Sequence, residues 1–69
     1  MRPLSVKEFG KAIEKRGWRL LRVEGSHHIY GKEGSAVRPS VPIHGSKPLK
    51  IGLQRHLLEM ASLTDDDLS

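Results

Sequence analysis

Sixty-nine residues with no cysteine and only three aromatic side chains bound the chain to one small domain, residues 1–69, with a thin core and no depth for a buried cofactor. The cysteine count excludes disulfide staples and thiolate metal sites, and the lack of a membrane-length apolar run or a secretory leader leads us to expect a soluble, cytoplasmic protein. The net charge of +4 hides an asymmetry: residues 1–56 hold all 12 Lys and Arg and four carboxylates, a balance of +8, whereas the last 13 residues carry −4.

Ser5-Val6-Lys7-Glu8 has capping-box spacing and predicts a helix from about Ser5, with Val6, Phe9, Ala12 and Ile13 on one apolar stripe and Gly17 as its end. Trp18 to Glu24 reads as a first strand in which Leu21 and Val23 alternate against Arg22 and Glu24. Gly25-Ser26 supplies a turn, His27 to Lys32 a second strand, Glu33-Gly34-Ser35 another turn, and Ala36 to Val41 a third strand. Pro39 cannot donate to a ladder, so the third strand is expected at the sheet edge. After a loop from Pro42 to Pro48, Leu49 to Ala61 returns to helical spacing, with Leu53, Leu57, Leu58 and Ala61 inward and Lys50, Gln54, Arg55 and Glu59 outward. Thr64-Asp65-Asp66-Asp67 predicts a brief terminal helical turn. Helix, three strands, helix is the order of an α+β domain with helices on one face of a three-stranded antiparallel sheet.

The most specific stretch is Gly25-Ser26-His27-His28-Ile29-Tyr30. Alternation along a strand puts His27 with Ile29 and Gly31, and His28 with Tyr30, so at most one of the two histidines faces a substrate. A histidine titrates near neutral pH and suits proton transfer, although a half-buried structural role is the plainer alternative. His27, His28, His44 and His56 lack i,i+4 spacing and acidic or sulfur companions, so no metal site is expected. Ser26 beside His27 lacks a strained elbow and a third orienting group, which sets serine hydrolysis aside. Trp18 and Tyr30 are better read as core than as base-stacking platforms. Lys47 and Lys50 flank the start of the second helix, where a phosphate or plain solvent is an equal reading.

Gly17-Trp18, Gly25-Ser26-His27-His28-Ile29-Tyr30, Val41-Pro42-Ile43-His44 and Leu49-Lys50-Ile51-Gly52 leading into Arg55, Leu57-Leu58 and Ala61 together resemble the HicA-type (YcfA-like) toxins of bacterial toxin-antitoxin systems. The resemblance implies a double-stranded-RNA-binding-like α-β-β-β-α fold and an endoribonuclease that cleaves messenger RNA with neither metal nor cofactor. It also implies a HicB-type antitoxin that covers the active site. The family's catalytic histidine maps onto His27 and its turn glycine onto Gly25. We expect Gly25, Ser26, Arg22, His44 and Lys47 to contact substrate, with Arg22 and Lys47 holding phosphate. Gln54, where relatives usually carry an apolar residue, and Ser62, where they usually carry glycine, depart from the pattern; Pro39 within the third strand is also less usual. A non-catalytic RNA-binding module and a plain protein-interaction domain are the competing classes, and cutting of RNA separates the first from the toxin.

Overall fold

Ser5 and Glu8 open the first helix, α1 (Val6–Glu14), with a closed capping box: the Glu8 amide donates to Ser5 Oγ and the Ser5 amide donates to Glu8 Oε1, both at 3.0 Å. The Glu8 carboxyl is held at a pKa of about 2, chiefly by the hydrogen bond from Arg2 and then by that from the Ser5 backbone. Phe9, Ala12 and Ile13 are buried as the stripe requires. Past the helix, Gly17 takes φ 93°, and the Trp18 amide turns back to Ile13 O at 3.2 Å.

The computed structural model describes residues 1–68, so the end of the expected 1–69 domain lies outside the described residues. Three antiparallel strands follow α1 in the order β1 (Arg19–Glu24), β2 (His27–Gly31), β3 (Ser40–Pro42), and then α2 (Ile51–Met60) and a 3₁₀ turn (Asp65–Leu68). Tyr30 and Val41 point from the sheet into a core with Phe9, Ile13, Trp18, Leu57, Leu58 and Ala61. Both helices therefore cover one face, and the α-β-β-β-α order is the α+β arrangement expected. The other face is open.

Three features differ from the sequence reading. The third strand is short, Ser40–Pro42 rather than Ala36–Val41, because residues 35–38 satisfy their backbone locally. The Val37 amide donates to Ser35 Oγ at 3.1 Å, and Arg38 Nη1 donates to Ser35 O and Val37 O at 2.7 and 2.9 Å. Pro39 has no amide for the ladder, although its carbonyl accepts from Tyr30 N at 2.9 Å just before the edge strand begins.

In β1 the expected alternation is broken by a bulge between Leu20 and Arg22. Val23 lies opposite His28 on the helix side, whereas Leu21 lies over Gly31 on the open side, so the two do not share a face. Both are about half exposed, at 53% and 49%.

Gln54, expected to face outward, has no exposed surface at all. Its Oε1 accepts from Leu4 N at 2.7 Å and its Nε2 donates to Arg2 O at 2.9 Å, which satisfies both ends of the amide. A buried amide amid leucines is tolerated because the N-terminal segment brings it backbone partners.

Two substitutions test these placements. Replacing Gln54 with Leu leaves the buried Leu4 amide without an acceptor, and chemical denaturation is expected to register a loss of about 1–3 kcal/mol despite the gain in apolarity. Ser62 adopts φ 57°, a left-handed conformation that disfavours side chains, in the turn that closes α2. Ser62→Gly relieves that strain at some cost in unfolded-chain entropy, so a gain of about 0.5–1 kcal/mol in the same assay is the expected net result.

Candidate active site

The β1–β2 hairpin turns on two residues, with Gly25 at φ 58° and Ser26 at an ordinary negative φ, the pattern of a type II′ turn. A Cβ at Gly25 would meet no atom within 4 Å, so the protein requires this glycine for its backbone conformation and not for space. Ser26 adds a backbone tie, its carbonyl accepting from Ile43 N at 2.7 Å, which draws the segment after β3 up to the hairpin.

His27 is the first residue of β2 and is exposed on the open face. Glu24 of β1 and Pro42 of β3 are its cross-strand partners. Ser40 Oγ lies 3.3 Å from His27 Nδ1, a long hydrogen bond that leaves the other ring nitrogen unengaged. Arg22 forms an ion pair with Glu24, so this guanidinium is anchored beside the histidine's neighbour. His28 points the other way, half-buried, with its ring edge-on to Tyr30 at 6.5 Å between centroids. Burial, and then the Glu14 carboxylate, push the Tyr30 phenol above its ordinary range.

His44 and Lys47 lie together. They line a cleft of about 450 Å³ with Pro42, Pro48, Leu49, Lys50 and Leu53 at the start of α2. Lys50 is the N-cap of that helix and supplies no side-chain cap, which leaves the first-turn amides facing this corner unsatisfied by side chains. Pro42 links the halves, since it pairs with His27 across the sheet and also lines the cleft.

Ser40 and Glu24 were not singled out from the sequence. Glu24 could have been found, because a two-residue hairpin at Gly25-Ser26 places it opposite His27. Ser40 could not, because its position depends on a third strand whose start is set by local bonds around Arg38. Among the described residues, no group of three or more His, Asp or Glu side chains is placed to hold a metal ion, and no helix is long and apolar enough to cross a membrane.

A family model for the HicA toxin of bacterial toxin-antitoxin systems matches residues 6–63, from the first residue of α1 to just past α2. The chain belongs to the HicA toxin family. No curated protein matches it significantly. Membership makes the chain a toxin component and implies an antitoxin as its partner. The matched region contains the Gly25-Ser26-His27 hairpin and the His44–Lys50 corner, and leaves out the acidic 3₁₀ turn.

Ser40 offers a direct probe of this arrangement. Ser40→Ala removes the side chain that hydrogen-bonds His27 Nδ1, and ¹⁵N NMR of the imidazole is expected to move toward a mixture of tautomers with the fold unchanged. An unaltered tautomer ratio contradicts a positioning role for this hydroxyl.

Proposed function

We propose that this HicA-family toxin is an endoribonuclease that cleaves messenger RNA, with His27 as the proton-transfer group. The observation that carries this reading is an imidazole on an open sheet face, held at Nδ1 by Ser40 and free at Nε2. With Nδ1–H donated to Ser40, Nε2 has a lone pair available to the substrate. RNA supplies its own nucleophile. Nε2 takes the proton of a 2′-OH, the 2′ oxygen attacks phosphorus, and the bond from phosphorus to the 5′ oxygen breaks, leaving a 2′,3′-cyclic phosphate. The leaving 5′ oxygen takes a proton from the imidazolium or from water.

Charge at phosphorus is stabilised by cations near the scissile group. Lys47, Lys50 and the α2 amides form one positive corner beyond Pro42, with His44 beside them, and Arg22 stands on the other side of Glu24. Gly25 and Ser26 form the hairpin rim over which the RNA backbone passes. Glu24 keeps Arg22 in place through their ion pair. No metal or cofactor enters this scheme, and the toxin acts as one domain over residues 1–69 in the cytoplasm. A HicB-type antitoxin silences it by laying an acidic segment across the positive open face and covering His27, an association that charge complementarity makes fast at low salt.

The reading is tested with purified protein, RNA and EDTA. Wild type is expected to cut, and His27→Ala to lose about 100-fold or more of the rate, the usual scale for a general acid or base, with unchanged circular dichroism because the side chain is exposed. His28→Ala is expected to keep cleavage and lower the melting temperature, since it loses packing against Tyr30. Binding without cutting by wild type would leave a non-catalytic RNA-binding module as the function.

A further inference from the structure

The open face extends beyond the candidate active site. At the far end of β2 from His27, Gly17, Arg19, Leu21, Gly31, Lys32, Glu33 and Arg38 enclose a pocket of about 510 Å³. Three cations against one carboxylate give it a net positive charge. Arg19 pairs with Gly31 across the β1–β2 ladder, and Gly31 alternates onto the same side as His27 and Ile29. The pocket and the histidine therefore lie on one face, four residues apart along β2, which at ~3.3 Å per residue is about 13 Å.

The floor of the pocket is built by the β1 bulge. A Cβ at Gly31 would come within 2.5 Å of Leu21 Cδ1, so glycine is what lets the leucine lie down on the strand. This leaves an apolar base between guanidinium groups, a surface suited to a ribose or base with a phosphate at its edge. Arg38 is fixed through Nη1, whose bonds to Ser35 O and Val37 O orient the guanidinium and leave Nε and Nη2 without a partner among the described residues. Arg19 has no ion-pair partner among the described residues. Guanidinium groups with free N–H donors, one of them already held in place at Arg38, match the paired oxygens of a phosphodiester.

We propose that this pocket is a second phosphate site, holding the RNA strand a few nucleotides away from the phosphodiester at His27. The identity of the strand rests on the ribonuclease reading above, whereas the site itself is defined by Arg19, Arg38 and Leu21. Lys32 contributes less. Its Nζ sits 5.9 Å from the Trp18 ring centroid, a cation–π contact at the pocket wall.

The test measures binding in a background that cannot cut. Fluorescence anisotropy of a labelled single-stranded RNA is recorded over a salt series with His27→Ala and with His27→Ala carrying Arg19→Gln and Arg38→Gln. Loss of two phosphate contacts is expected to weaken binding about tenfold and to reduce the slope of log K against log salt by about 1.4. A control carrying Lys7→Gln and Lys11→Gln, which removes equal charge from α1 on the opposite side, is expected to keep the slope. Because Arg38 also braces residues 35–38, Arg19→Gln alone is measured too and is expected to give about half the change in slope. Slopes indistinguishable between the arginine and lysine variants overturn the site, as does an arginine variant that binds RNA normally but no longer binds the antitoxin. If wild type fails to cleave RNA yet the arginine variants still lose binding, the ribonuclease reading falls and this site stands.

Discussion

The Gln54 side chain is the interaction on which the geometry of the basic corner depends. It holds Leu4 through the backbone amide, and Leu4 in turn accepts from Leu49 N at 2.8 Å. Leu49 is the last buried residue before α2, and the loop carrying His44, Lys47 and Lys50 runs directly into it. The first residues of the chain thus act as a strap across the start of the second helix. A loop rich in glycine, serine and proline would otherwise be free to move on its exposed side. The amide is fully satisfied, which makes its burial a source of fixed geometry rather than a defect. An apolar residue in its place fills the same space but leaves the strap without its hydrogen bonds.

A second constraint is the small size of the chain. Two short helices can cover only one face of a three-stranded sheet, and the core takes that face with Tyr30 and Val41. The other face must then remain in water or meet a partner. It is populated by His27, Ser40, Arg22, Glu24 and Arg19, together with a leucine folded over a glycine. Ile29 is nevertheless nearly buried on it, between the rows of longer polar side chains on β1 and β3. An open face has a physical consequence: without a deep cavity to exclude water, local charges there are screened by solvent.

Much of this was legible in the chain. The capping box at Ser5 and Glu8, the stop at Gly17 and the hairpin at Gly25-Ser26 fix their elements through short-range chemistry, and each lies where the residues place it. The opposite orientations of His27 and His28 followed from strand alternation alone. What escaped was decided at long range or by competition. Gln54 looks like a solvent-facing residue because its partners lie 50 and 52 positions away. The bulge at Leu21 is invisible in a run of strand-favouring residues, yet it moves one apolar side chain to the other face. The third strand was read too long because the binding of Arg38 to nearby carbonyls carries no periodic signal. Ser40, placed by that same strand, was lost with it.

The distribution of charge gives these parts a common logic. The acidic end of the chain is used structurally: Asp67 pairs with Arg16, and Asp65 lies 3.7 Å from the N-terminal ammonium. The Asp67 carboxyl is held below its usual range chiefly by the hydrogen bond from the Thr64 amide, with the Arg16 guanidinium adding to it. These carboxylates therefore neutralise the helix side near the chain ends and do not reach across to the open face. On that face Glu24 is already paired with Arg22, and around Gly31 the cations Arg19, Lys32 and Arg38 outnumber the carboxylate of Glu33. A polyanion approaching the Gly31 end of β2 from solution meets positive potential, with the imidazole at the other end of the same strand. An acidic protein segment meets the same field, and salt weakens either encounter through the same charges.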